Sequence, residues 1–330
     1  MLVNSQPLVV LPDTNTWIES HLFTTPIGAA ATYYLARAAG RILLPEVVET
    51  ELTSVARRHA RISSAAAASA VRDVRRFAVH AEAHIPTAQQ VELAVAGRLG
   101  ELEPHLLRVN MDLSVVRAAL ERVASERAPN SEKREQFRDS LVWEHARRAA
   151  TTADVAFITS DGDFWEKAPD AVKRPKGHIY EDIRELAPRL NIYASLDELL
   201  VSLKQSVPEP DHEEVAEDLT FVLHRTLVTE LDALGLRLRG TSNHKIAAFP
   251  TDVPERVAIS FEFTADASEI LDGGAVIPIS ASVRGSCFLD MSEVAYTNVA
   301  LSEIEVEATP SSSPRIVIFR ESSRLPSTAG

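Results

Sequence analysis

The chain is predicted to be an α/β protein, a doubly wound parallel sheet followed by a β-rich C-terminal domain. Three observations predict it. Short apolar runs alternate with helix-period segments through residues 1–204, as in a parallel sheet covered on both faces. A segment rich in proline and acid, QSVPEPDHEE at 205–214, then breaks the pattern and reads as a linker. Beyond it, apolar residues alternate with small or polar ones, the period of a half-buried strand.

Residues 8–11 read as a buried strand, 26–39 as an alanine-rich helix and 41–44 as a second strand. Pro45 opens the next helix, where its missing N–H costs nothing. From residue 51 to about 128 the pattern is nearly all helical, so residues 53–130 are expected to be a helical insertion. Thr87 is placed to cap a helix over 87–99. A helix over 131–150, a buried strand over 155–159 and a helix over 180–186 follow. A last strand at 191–193 and a helix at 195–203 close the first domain. Residues 205–330 form the second. In it, Leu219, Val222, Leu223, Leu227, Leu231 and Leu234 share one face of a helix over 216–236. VAISFEF puts Val257, Ile259, Phe261 and Phe263 on one side of a strand, with further strands at 276–283, 304–306 and 316–319. Residues 321–330 are expected to be disordered.

The net charge of −13 is uneven: residues 1–200 carry roughly −3 and residues 201–330 roughly −10. Such a balance argues against a general high-affinity DNA binder, which shows a basic footprint. One cysteine, Cys287, excludes intrachain disulfides and multi-cysteine zinc sites. No run approaches the roughly 20 apolar residues of a membrane span, and no signal peptide is evident. The expectation is a cytoplasmic protein with no membrane partner.

Chemistry is carried by acids. Asp13 in LVVLPDTNTW and Asp161 in VAFITSDGDFW end apolar strands, and Glu51 in PEVVETEL and Asp139 in REQFRDSLVWE lie on helices. Residues just past the carboxyl ends of parallel strands face the ligand crevice of an open sheet. Carboxylates that converge there repel one another, and a hard cation such as Mg²⁺ relieves the repulsion.

In order and spacing these segments resemble the PIN-domain family of ribonucleases over roughly residues 7–200. The resemblance implies a PIN-like sheet with a carboxylate cluster at its edge and Mg²⁺ or Mn²⁺ as cofactor. It implies cleavage of RNA phosphodiester bonds, leaving a 5′-phosphate and a 3′-hydroxyl. Asp13, Glu51, Asp139 and Asp161 match the catalytic acids, with Asp13, Asp139, Asp161 and Asp163 as metal ligands and Glu51 near a metal-bound water. Asn15 and Ser160 match the small polar positions that order the site. The long helical stretch after Glu51 and the β-rich C-terminal third depart from the minimal toxin-type domains, and look like the larger bacterial PIN proteins.

Plainer roles stand beside these. Asp13 is placed to cap a helix, Asp161 and Asp163 to form an Asx turn, and Asp139 to be a solvated helix acid. Glu46 and Glu49 suit the helix dipole at its first turn. Arg57, Arg58 and Arg61, in a run with Arg72, Arg75 and Arg76, are candidates for substrate phosphates, as is Arg138 with Lys133 and Arg134. His80 and His84 have the spacing of a metal half-site but no third ligand nearby. Trp17, Trp143 and Trp165 are expected in the core, with base stacking as the alternative. The leading expectation is a metal-dependent endoribonuclease acting on RNA. The alternatives are a structure-specific DNA nuclease and an inert PIN-like scaffold. The acidic C-terminal domain is expected to serve a protein partner or a homo-oligomer.

Overall fold

A computed structural model describes residues 7–75, 85–131, 134–166, 173–203, 212–270, 276–293, 295–306 and 315–318. The chain divides into two compact units. One comprises residues 1–18 and 35–195, the other residues 19–34 and 196–330. The composition of the sequence predicts the boundary at 204–205 instead. His80, His84, Arg76, Lys133, most of the 205–214 linker and residues 321–330 lie outside the described residues.

The first unit opens with β1 (Leu8–Pro12) and α1 (Thr14–Glu19), while most of α2 (Pro26–Arg37) falls in the second. Then come β2 (Arg41–Pro45), α3 (Glu46–Arg75), α4 (Ala88–Leu102), β3 (Leu106–Val109) and α5 (Leu113–Ala124). It closes with α6 (Phe137–Ala150), β4 (Asp154–Ile158), α7 (Gly177–Leu186) and β5 (Leu190–Tyr193). The sheet is parallel, in the order β3-β2-β1-β4-β5. Its inner strands are apolar beyond their first residues because both faces are covered: Val9, Val10, Leu11, Ile42, Leu43, Leu44, Val155, Ala156, Phe157 and Ile158 are all buried.

Two sequence expectations are corrected here. Residues 53–130 are not wholly helical, because LLRV at 106–109 forms β3 and pairs in register with β2. Leu107 and Arg108 are exposed on this edge strand, so it lacks the continuous apolar run that marks β1 and β4. Pro45 ends β2, and the helix begins one residue later. The capping expectation for Thr87 holds: its hydroxyl accepts from the Gln90 N–H, and the Gln90 side chain accepts from the Thr87 N–H.

Buried charge locks α5, α6 and α7 together. Arg122 donates to Glu144 (2.8 Å), Asp182 (2.5 Å) and the Ala128 carbonyl (2.7 Å), and Trp143 Nε1 also donates to Asp182 (2.9 Å). Arg122, Glu144 and Asp182 are each less than a tenth exposed. An arginine this deep is tolerated because every face of its guanidinium meets an acceptor.

The second unit holds α8 (Leu196–Ser202) and α9 (His212–Ala233). An antiparallel sheet follows: β6 (Leu236–Pro250), β7 (Arg256–Ile270), β8 (Val276–Asp290), β9 (Ala295–Val306) and β10 (Arg315–Ile318). Leu219, Leu223, Leu227 and Leu231 of α9 share one core with Val257, Ile259, Phe261 and Phe263 of β7, the residues whose spacing predicts two apolar faces. Leu236 starts β6 rather than ending the helix. β6 was not marked in the sequence, since Gly240 and two register shifts interrupt its alternation. The second face carries a ladder of charge: Lys245–Glu262 (3.2 Å), Glu262–Arg284 (3.5 Å) and Arg284–Glu303 (3.1 Å), each between directly paired residues. Among the described residues, no helix is long and apolar enough to cross a membrane.

Candidate active site

β1 and β4 are neighbours, yet the chain leaves β1 towards β2 and reaches β4 only after α6. The sheet therefore changes direction between them, and the ends of these two strands flank its switch point. Asp13 follows β1 and Asp161 follows β4. The Asp13 N–H donates to the Ile158 carbonyl (2.9 Å), extending the pairing of the two strands to the acid itself.

Thr159 joins the two strand ends. Its hydroxyl donates to Asp13 Oδ2 (2.6 Å) and accepts from the Asp161 N–H (3.1 Å). Asp13 Oδ1 accepts from the Thr16 N–H (2.6 Å), so the capping role is real and fixes the carboxylate's direction. Burial raises the Asp13 pKa, hydrogen bonds from Thr159 and Thr16 partly oppose this, and the Asp161 charge adds to the rise.

Glu51 reaches the same place from α3. Thr14 donates its hydroxyl to Glu51 Oε2 (2.8 Å), and Arg138 pairs with Oε1. Asp139 comes from the first turn of α6. Its pKa is pushed up to about 7, first by burial and then by the charges of Asp161, Asp13 and Glu51, with Arg138 pulling it down. Asp139 is thus no solvated surface acid. Carboxylates that follow β1 and β4, and one from α3, act on Asp139 through space.

The remaining predicted residues divide. Asp161 Oδ1 accepts from the Asp163 N–H (2.8 Å), so the Asx turn is present. Asp163 is held by Arg134 (2.9 Å), by Gln136 and more distantly by Lys176 (3.8 Å), which makes it an anchor for the loop before α6. Asn15 is exposed on α1 and Ser160 is half-buried after β4. Arg57 is forked onto Glu92 of α4 (2.6 and 3.0 Å), turned to the helical hairpin. Arg61 is exposed further along α3. Glu49 pairs with Arg108 of β3, and Glu46 accepts from the Met111 N–H. Trp17, Trp143 and Trp165 are buried, which removes them as base-stacking platforms.

Arg58 and Arg138 instead line a cavity of about 380 Å³, together with Glu46, Val47, Thr50, Glu51, Ser54, Val55 and Met111. Sequence reasoning missed Thr14, Thr159 and Gln136 as residues that order the acids. The available signal was a hydroxyl beside each strand-end acid, in DTNT and ITSD.

Hard oxygen donors that hold one another's charge in check suit Mg²⁺ or Mn²⁺ chemically. Among the described residues, no three His, Cys, Asp or Glu side chains are arranged to hold a metal ion. The Arg138–Glu51 pair is exposed on the arginine side and worth about 1 kcal/mol or less, so it yields easily to another anion. No protein-family model matches the chain, and no curated protein or solved structure matches it significantly.

Proposed function

We propose that the chain is a PIN-like, metal-dependent endoribonuclease. The observation that carries this reading is the convergence at the switch point, where Thr159 joins the Asp13 carboxylate to the Asp161 backbone and where burial, then the charges of Asp161, Asp13 and Glu51, push the Asp139 pKa up to about 7. Asp13 and Asp161, joined by Thr159, are the pair assigned to a cation, with Asp139 the buried acid beside them. A bound Mg²⁺ or Mn²⁺ would lower the pKa of its water and offset charge developing on the phosphate. Glu51, oriented by Thr14, is placed to accept a proton from the attacking water. Arg138 is placed to take a substrate phosphate oxygen in exchange for Glu51. RNA is the expected substrate and DNA the alternative.

A scaffold reading has one observation in its favour: Arg138 and Arg134 already neutralise Glu51 and Asp163. One experiment separates the readings. With Mn²⁺, the protein should cut single-stranded RNA faster than single-stranded or flap DNA. Asp13→Asn, which keeps the helix cap, should lower the rate by at least about 100-fold, since even residues that only orient metal ligands are worth 10–100-fold. Absence of metal-dependent cleavage on every substrate would favour the scaffold, and faster cutting of DNA would move the assignment to a DNA nuclease.

A further inference from the structure

The 380 Å³ cavity beside Glu51 is built largely from one stripe of α3. Val47, Thr50, Glu51, Ser54, Val55 and Arg58 recur at helical spacings of three and four, so they share a face. Its chemistry falls into three kinds. Val47, Val55 and Met111 give apolar wall, Thr50 and Ser54 give hydroxyls, and the charged groups are two cations, Arg58 and Arg138, and two acids, Glu46 and Glu51. The volume lies at the small end of the roughly 300–1,000 Å³ usual for ligand sites. Arg138 lines the cavity and also pairs with Glu51, so the cavity adjoins the acid cluster through a shared residue.

Resting on the nuclease reading, we propose that this cavity is a one-nucleotide subsite for the residue of the RNA next to the cleaved phosphate. The base lies on Val47, Val55 and Met111, the sugar hydroxyls meet Thr50 and Ser54, and the phosphate takes Arg58 and Arg138. A base held there has left its stack and its pair, so the substrate must be unpaired at that nucleotide. Of the neighbouring pair Arg57 and Arg58, only Arg58 serves, because Arg57 is committed to Glu92. Filling the subsite also draws Arg138 from Glu51, which frees the glutamate for the attacking water only when substrate is in place.

The test uses the full chain carrying Asp13→Asn, without divalent metal, so that binding is read apart from cleavage. Adenosine monophosphate, ribose 5-phosphate and inorganic phosphate are titrated by calorimetry. Adenosine monophosphate should bind at least about fivefold more tightly than ribose 5-phosphate, the contribution of burying one face of the base on an aliphatic wall. Arg58→Gln should weaken it about tenfold or more, as loss of a charge-assisted contact predicts. Ser54→Trp, a change at an exposed position that fills the cavity, should abolish it. Equal binding of the three probes, no nucleotide binding at millimolar concentration, or binding unaltered by Ser54→Trp would overturn the subsite. Cleavage with Mn²⁺, in the protein that keeps Asp13, reads the other question: if Ser54→Trp cuts RNA with unchanged KM, the subsite fails while the nuclease stands. Nucleotide binding that Ser54→Trp abolishes, in a protein that cuts nothing, fails the nuclease instead.

Discussion

The two sheets treat charge in opposite ways. On the antiparallel sheet, Lys245, Glu262, Arg284 and Glu303 alternate in sign across directly paired residues, and each charge meets its opposite. At the end of the parallel sheet, Asp13, Glu51, Asp139 and Asp161 gather with like sign, and burial together with that charge pushes the Asp139 pKa up to about 7. A ladder of this kind spreads charge over a solvated face and stabilises little. A cluster of like charge works against stability, and a fold retains such an arrangement chiefly at functional sites. The buried Arg122 network marks the third possibility, charge taken out of water with every partner supplied.

The comparison can be broken most severely at Arg122. Arg122→Ala strands Glu144 and Asp182 without their main cation in the interior, and should cost about 3–5 kcal/mol in a urea unfolding curve. A loss of the size seen at exposed pairs would mean that Arg127 and Arg147 suffice to neutralise both acids.

Asp139 sharpens it next, with the opposite sign. Its folded pKa of about 7 lies above the ordinary 3.8, so between those values the folded, metal-free chain keeps a proton that the unfolded chain has lost. The group's contribution to stability is full below about pH 4 and declines as pH rises towards 7. In chelator at pH 8, Asp139→Asn should therefore be more stable than the parent by roughly 2–4 kcal/mol, with the difference vanishing near pH 4. A variant less stable than the parent at both pH values would show that Asp139 is not held against repulsion.

The smallest effect is expected on the ladder. Glu262→Gln removes the centre of three partly exposed pairs and should change stability by about 1 kcal/mol or less, fading with added salt. It should leave RNA cleavage unchanged. A larger, salt-resistant loss would make the ladder a stabilising network and weaken the contrast with the acid cluster.

Much of the frame was legible from local pattern. β1 and β4 are apolar runs because both their faces are covered, and β7 alternates because one of its faces is packed by α9. β3 and β6 escaped because edge strands mix exposed and buried positions, and β6 is further interrupted by its register shifts. The acids were legible as strand-end and helix residues, but their partners were not. Arg57 and Arg58 are indistinguishable in sequence, yet one faces Glu92 and the other the cavity, because adjacent helical positions point about 100° apart. Asp161 and Asp163 differ only by position, yet the loop before α6 delivers Arg134 and Gln136 to the second.

By itself the sequence determined the period of each element and the residue type at each strand end, since both depend on neighbours a few positions away. Tertiary structure alone decided which acids act on one another and which are neutralised. Asp13 and Thr159 stand 146 residues apart in the chain and 2.6 Å apart in space. Electrostatic interaction and desolvation depend on that second distance, which the folded sheet supplies and local sequence does not contain.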